Sequence, residues 1–388
     1  MRRTQSLPEL ASVEIEPCPS GDGLRLGEEA PRVTLISPYG DISSTGIRVI
    51  AACLKRAGLR ARMLFLPISG LESRGDIPSE VYQYPDDLLE SIAEHCLGSL
   101  YVGVSFMTNY YDRVTQLSAY LRRNLSVPVV LGGLHPTLQP DECAPFADFL
   151  CVGEGEGASV ELALDLARDG DGRGIKNIWP VEDGRYEPSD LRPLIRNIDS
   201  IPFPDYDLDD DYVLYEKQLL RMTPELLQFF MQEGPPKSVA GGGGYYICLT
   251  SRGCKYNCSY CCNSALKSKY PKQQWLRYRT PESIVDEISL IKERMPFVGA
   301  VFICDDSFFE RGLSEIERFS ELYKHRVALP FYCLGTPYGI TEAKIESLLE
   351  VGLRFVQMGI QTGSRRTSKL FRRSISNQKV LDLSLIHI

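Results

Sequence analysis

Cys254-Lys255-Tyr256-Asn257-Cys258-Ser259-Tyr260-Cys261 sets three cysteines at Cx3Cx2C spacing in a loop otherwise made of polar and aromatic residues. Cysteine supplies 12 of the 388 residues, so a chance triplet of this spacing is expected in about one such chain in a hundred. Cysteines acting as small apolar core residues fit poorly in so polar a loop. A structural zinc site wants a second pair of ligands, and none of His95, His135, His325 and His387 lies in the loop. Three thiolates on a 4Fe-4S cluster would leave one iron without a protein ligand, open to chemistry. Cys262 follows out of register.

Around the loop the chain alternates strand and helix. Tyr245–Thr250 reads as a strand, preceded by Gly241–Gly244 as a hinge. Downstream come helix Pro281–Arg294, with Thr280 as N-cap and Pro281 in the first helical position, then strand Ala300–Cys304 and helix Leu313–Lys324. Strand Phe331–Leu334, helix Glu342–Val351 and strand Arg354–Ile360 complete the series. The first half shows the same alternation. Strands are expected at Arg32–Ser37, Leu59–Leu66, Leu100–Phe106, Val127–Leu131 and Phe149–Val152, with helices at Ser44–Ala57, Asp86–Cys96 and Asp112–Asn124. Such βα units build a parallel, doubly wound sheet whose ligands sit at the carboxyl ends of its strands. Between the halves the pattern loosens through an acidic run, Asp205–Asp211, and one helix near Pro224–Gln232.

Composition sets the outer limits. Hydrophobic residues at 43% and charged residues at 24% exclude a mostly disordered chain. A net charge of −8 argues against a broad phosphate-neutralising surface, so a nucleic-acid partner is not expected. No apolar run nears the roughly 18 residues of a membrane span, and Arg2 and Arg3 precede no apolar signal region. A cytoplasmic location without membrane attachment is therefore expected, where thiols stay reduced.

The cysteine triplet, with Tyr260 before its third member and a βα series after it, resembles the motif of radical S-adenosylmethionine (SAM) enzymes. The resemblance implies that Cys254, Cys258 and Cys261 ligate a 4Fe-4S cluster and that SAM chelates the fourth iron. It also implies reductive cleavage of SAM to a 5′-deoxyadenosyl radical. Similar family stretches are Arg277–Glu282, Phe302–Phe308 and Gly359-Ile360-Gln361-Thr362-Gly363-Ser364. By that analogy the SAM contacts are Tyr260, Asp305, Asp306, Gly359, Gln361 and Ser364, the aspartates toward the amino group and Gln361 and Ser364 toward the ribose and carboxylate. Lys255 stands where many members carry Pro, which is expected to loosen the loop. Thr336-Pro337 stands where Arg is common, so no SAM contact is assigned there.

The first half resembles the cobalamin-binding domain that precedes the radical SAM core in one large subfamily. The resemblance rests on Ser105-Phe106-Met107-Thr108, Gly132-Gly133-Leu134-His135-Pro136 and Gly153-Glu154-Gly155-Glu156. It implies cobalamin contacts at Ser105, Phe106, Met107, Thr108, Gly132, Gly133, His135, Gly153 and Glu154, where small residues admit a flat corrin. The Asp-x-His-x-x-Gly signature of histidine-ligated cobalamin is absent, and Leu66-Pro67 replaces a frequent Asp. His135 is therefore expected to hydrogen-bond rather than to ligate cobalt.

The expected architecture is α/β throughout. Residues 1–30 form a mobile extension and 31–170 a Rossmann-like doubly wound cobalamin-binding domain. A linker, 171–244, leads to the first four βα units of a radical SAM partial (β/α)6 TIM-type barrel at 245–382. Residues 383–388 match the in-frame product of a sequencing-library adapter and are expected to be non-native, the natural protein continuing further. The resemblance implies a cobalamin-dependent enzyme, foremost a methyltransferase acting on an unactivated carbon, with radical cyclisation or rearrangement as the alternative. A non-catalytic cobalamin carrier would not need the cysteine triplet, and a methylthiotransferase would carry a second one. The implied partners are a small-molecule or peptide substrate and a low-potential electron donor of flavodoxin or ferredoxin type. The basic residues Arg365, Arg366, Lys369, Arg372 and Arg373 are expected to form a solvated helix face.

Overall fold

The computed structural model describes residues 30–67, 83–232, 243–306, 308–373 and 375–387, with 385–387 described by backbone alone. The expected N-terminal extension, apart from Ala30, and the first two glycines of the hinge lie outside the described residues.

The first half builds β1 (Arg32–Ser37), α1 (Thr45–Arg56), β2 (Arg60–Phe65), α2 (Asp86–Cys96), β3 (Ser99–Ser105) and α3 (Tyr111–Asn124). It continues through β4 (Val129–Gly132), α4 (Leu134–Leu138), α5 (Pro140–Cys143), β5 (Phe149–Cys151) and α6 (Glu156–Leu166). The strands form because runs such as Val33, Leu35 and Ile36 are buried on both faces of the sheet, as parallel strands under helices require. Register follows directly: Ile36 lies opposite Leu64 of β2 and Val104 of β3. Gly58, with φ of 81°, takes the left-handed turn that ends α1.

Segment 171–244 is not the expected linker. It supplies β6 (Ile178–Glu182), β7 (Arg185–Tyr186), β8 (Asp211–Tyr215), β9 (Gln218–Arg221) and α7 (Pro224–Gln232). Among the described residues the first sheet has nine strands in the order β7-β6-β5-β4-β3-β1-β2-β8-β9, with β6 antiparallel to β5, β8 parallel to β2, and β9 antiparallel to β8. β7 and β9 are the outermost strands, and each of the four mixes apolar with charged, aromatic or proline residues, so none shows the continuous apolar run of β1 or β3. The acidic run is held by a buried arginine and a half-buried lysine. Arg48 donates to the Asp205 carbonyl at 2.8 Å and stacks on Tyr206 at 3.9 Å, while Lys55 Nζ lies 2.7 Å from Asp205.

The second half builds β10 (Gly244–Cys248), β11 (Ser251–Arg252), α8 (Cys262–Ser268), β12 (Arg277–Tyr278), α9 (Pro281–Arg294) and β13 (Val298–Ile303). Next come α10 (Leu313–Arg326), β14 (Phe331–Gly335), α11 (Glu342–Leu349), β15 (Leu353–Met358), α12 (Arg365–Leu370) and α13 (Asn377–His387). Thr280 caps α9 by accepting from Ser283 N at 3.2 Å, with Pro281 at the first turn as expected. The sheet is parallel in the order β10-β13-β14-β15. Tyr246, Cys248, Val301, Ile303, Phe331 and Cys333 are buried, while Ile247, Phe302, Tyr332 and Phe355 form a less buried row across the other face. The antiparallel ribbon β11–β12, two residues a side, was too short to read from the pattern.

Candidate cluster and cofactor site

Loops at the carboxyl ends of β10, β13, β14 and β15 enclose a cavity of about 280 Å³ bordered by Cys254, Cys258 and Cys261. Cys258 is 5% exposed; Cys254 and Cys261 are half-buried. Cys261 sits at the N-cap of α8, and its thiol is pushed down to about 6, first by the Cys262 thiol donating to it and then, against burial, by Asn263. Cys262, expected as a bystander, thus faces the triplet. Tyr260 is 45% exposed and packs edge-on against Phe371 at 4.8 Å.

Among the described residues no three His, Cys, Asp or Glu side chains converge on a single metal ion. A cluster asks for something else, since its thiolates each take a different iron. The residues present fit it: three thiols border one cavity, and Arg373 Nε is buried beside them with no hydrogen-bond partner.

The loop is tethered by Glu310. Its carboxylate pairs with Lys255, and it accepts from Tyr256 Oη at 2.9 Å and Thr336 Oγ1 at 2.8 Å. Burial pushes the Glu310 carboxyl up, but these three donors hold it below its ordinary value. Lys255 therefore ties the loop down where a loosened loop was expected. Thr336, to which no contact had been assigned, borders the cavity.

The SAM candidates divide. Gly359, Gln361, Tyr260 and Asp306 border the cavity, and exposed Asp306 accepts from Asn263 Nδ2 at 2.9 Å. Asp305 also borders it but is 1% exposed and spent internally. It accepts from Thr250 N at 2.6 Å, Ser251 N at 3.1 Å and the Thr250 hydroxyl, fixing the turn between β10 and β11. Burial keeps its carboxyl above the usual range. Asp305 therefore holds the strand-end turn, while Asp306 keeps an exposed carboxylate at the cavity. Ser364 is likewise occupied: it caps α12 by accepting from Thr367 N at 3.3 Å and does not border the cavity.

The cobalamin candidates divide too. Ser105 and Gly132 are half-buried at the ends of β3 and β4, with Met107 and Thr108 exposed beside them. Phe106 is fully buried. A Cβ on Gly133 (φ 93°) would come within 2.8 Å of Phe106 N and Ser105 Oγ, so the chain's own atoms fill that space. His135 is 1% exposed, with Nδ1 3.0 Å from Thr108 Oγ1 and Nε2 3.4 Å from Glu142; burial keeps its pKa below the ordinary value. Its ring packs against Phe106 and Tyr111.

Gly153 and Glu154 turn toward the other half instead of an open face. A Cβ on Gly153 (φ 94°) would collide with the Tyr270 hydroxyl. Glu154 Oε1 lies 2.8 Å from Arg277 and 3.2 Å from Arg252, and Oε2 accepts from Ile195 N at 2.9 Å. Glu156 pairs with Arg252 as well. Burial raises the Glu154 carboxyl, yet the two guanidiniums hold it below its ordinary value. These two residues join the halves, a role that sequence reasoning missed because the partners lie about a hundred residues away.

Residues 31–163 match the family model described as B12 binding domain, and residues 248–384 match the Radical SAM superfamily. An uncharacterized methyltransferase of Pyrococcus horikoshii is 27% identical over 286 residues, covering 72% of this chain and 56% of that protein. The anaerobic magnesium-protoporphyrin IX monomethyl ester cyclase of Synechocystis sp. is 24% identical over 206 residues, covering 52% of this chain and 35% of that one. The chain thus spans about half or less of the length of these curated relatives. Among solved structures, the radical S-adenosylmethionine methyltransferase TsrM from Kitasatospora setae superposes with a TM-score of 0.69 at 16% identity, over 91% of this chain and 65% of that one. OxsB, described as a cobalamin-dependent S-adenosylmethionine radical enzyme, gives 0.64 at 15% identity, over 90% and 46%. At such identities the likeness is one of fold. Among the described residues no helix is long and apolar enough to cross a membrane. With both sheets, the cysteine loop and the two family matches falling in the same order along the chain, this protein joins a B12-binding domain to a radical SAM domain.

Proposed function

We propose that the chain belongs to a cobalamin-dependent radical SAM enzyme that methylates an unactivated carbon, with 245–382 forming the first four βα units of a partial (β/α)6 barrel. The observation that carries this reading is the cavity bordered by Cys254, Cys258 and Cys261 at the carboxyl ends of parallel strands, in a chain that also holds a B12-binding domain. When bound, a 4Fe-4S cluster would supply the electron that opens the SAM sulfonium, and cobalamin would carry the methyl group.

The chain's own residues do the holding. Cys254, Cys258 and Cys261 offer the three thiolates, and Glu310 fixes the loop that carries them. Asp306 and Gln361 offer polar groups at the cavity for SAM, and Tyr260 an exposed ring. Asp305 shapes the turn that brings Arg252 toward the B12-binding domain. A small-molecule or peptide substrate and a low-potential donor of flavodoxin or ferredoxin type complete the proposal. Radical cyclisation is the second reading, supported by the relative named as a cyclase.

The test is anaerobic reconstitution with iron, sulfide and hydroxocobalamin, followed by SAM, a reductant and assay for 5′-deoxyadenosine. The expected result is its formation by the parent chain and its loss in Cys258→Ala. A fully loaded parent that forms none would leave a non-catalytic cobalamin carrier.

A further inference from the structure

Arg365, Arg366, Lys369 and Arg372 are exposed on and after α12, but Arg373 turns inward. The turn is built by the end of the helix. Arg372 adopts the left-handed conformation, φ 50°, with its N–H bonded to Lys369 O at 3.1 Å and that of Arg373 to Ser368 O at 3.0 Å. This is the paired bonding of a Schellman cap, with an arginine where glycine is usual. It redirects the chain so that Arg373 Nη1 reaches Cys258 Sγ at 3.5 Å and Nη2 reaches Gly359 O at 2.8 Å.

The same segment grips the cysteine loop at two further points. Ser259 donates to Phe371 O from its N–H at 3.0 Å and to Leu370 O from its hydroxyl at 2.7 Å, and Tyr260 packs on Phe371. The end of α12 is therefore a clasp on residues 258–260, and Arg373 is the part of it that touches a candidate ligand atom.

We propose that Arg373 is a positioning residue for the cluster. It supplies a charge-assisted hydrogen bond to the Cys258 sulfur while anchoring itself to the end of β15. The inference rests on the cluster reading above. A cationic donor at a ligating thiolate favours the more electron-rich state of the metal group, because it offsets the added negative charge. Arg373 would thus make the cluster easier to reduce, and its loss would lower the reduction potential.

The experiment uses the full chain, reconstituted anaerobically with iron and sulfide, without SAM. The couple read is the one-electron reduction of the cluster from the 2+ to the 1+ state, with dithionite as electron source and electron paramagnetic resonance as readout. Arg373→Gln is expected to shift the reduced-to-oxidised ratio at fixed potential about tenfold toward oxidised, equivalent to about 59 mV for a one-electron couple. Arg373→Lys should return the ratio to within about twofold of the parent. Arg366→Gln, which removes an exposed charge of the same sign, should leave it unchanged. A loaded Arg373→Gln with the parental ratio overturns the proposal, as does an equal shift in Arg366→Gln. If Arg373→Gln takes up no iron, Arg373→Lys decides: restored loading and ratio support the proposal, and equal loss overturns it. A parent chain that takes up no cluster overturns the cluster reading and this inference with it, whereas a loaded parent matched by its variant overturns this inference alone.

Discussion

Arg277 Nη2 lies 2.8 Å from Glu154 Oε1, and the two residues come from opposite halves of the chain, one from the ribbon beside the cysteine loop and one from the loop after β5. The pair is reinforced by Arg252 on the same carboxylate oxygen and by Arg277 Nη1 on Ile195 O at 2.8 Å. It ties the B12-binding half to the β11–β12 ribbon that flanks the cysteine loop.

Glu154→Gln should cost about 2 kcal/mol at neutral pH, the scale of a charged hydrogen bond lost from a partly buried pair. The sign with pH follows from linkage. A carboxyl held below its ordinary 4.5 in the folded state contributes stability that is present above that value and lost as pH falls through the folded pKa. Denaturant curves from pH 7 to pH 3 should show the parent and variant converging at the acid end. A difference that stays constant across that range would count against the clamp.

Cys254→Ala, Cys258→Ala and Cys261→Ala should each abolish the cluster, while Cys262→Ala keeps it. All three thiols of the triplet border the cavity, whereas Cys262 opens α8 and faces the Cys261 sulfur. Iron content and the visible charge-transfer band after reconstitution read the outcome. A cluster lost in Cys262→Ala and kept in Cys261→Ala would reverse the assignment.

The chain should bind hydroxocobalamin without histidine coordination. His135 is buried with its ring engaged by Thr108 and enclosed by aromatic rings. His135→Ala should therefore leave the corrinoid spectrum unchanged while lowering thermal stability. A histidine-ligated spectrum that disappears in His135→Ala would refute this. A minimal version of the domain should run to about residue 232, since β8 pairs with β2 and β6 with β5. Cutting at 170 would strip four strands from the sheet.

Glu310→Ala should destabilise the fold by about 2–3 kcal/mol, because it leaves Tyr256 and Thr336 without their shared acceptor. The reconstituted cluster should also be lost faster to a chelator, as Lys255 and Tyr256 are freed next to Cys254. Parental rates of iron loss in a folded variant would show that the tether does not hold the loop.

The central strands were legible because Val33, Leu35, Ile36 and their counterparts form continuous apolar runs, a local property that survives in any tertiary context. The outer strands β6 to β9 were not, because Pro180 and Asp211 carry loop-like signals and β7 and β9 are only two and four residues of mixed polarity. The ends of α1 and α9 were readable in Gly58 and Thr280, whose conformation and hydrogen bond are set within one helical turn.

The sequence by itself determined the cysteine triplet, the order of the two α/β halves and the central strands, since each depends on residues close together along the chain. Only the tertiary structure decided what the polar side chains do. Asp305 and Asp306 are adjacent and both border the cavity, yet the first is buried on Thr250 and Ser251 while the second keeps an exposed carboxylate, because strand-end geometry buries the first and exposes the second. Glu154 meets Arg252 across 98 residues, and Arg373 meets Cys258 across 115. Separations of that size carry no local signature. Sheet order and helix-end geometry choose such partners, and burial then makes each choice binding, because a charge taken out of water must be paired.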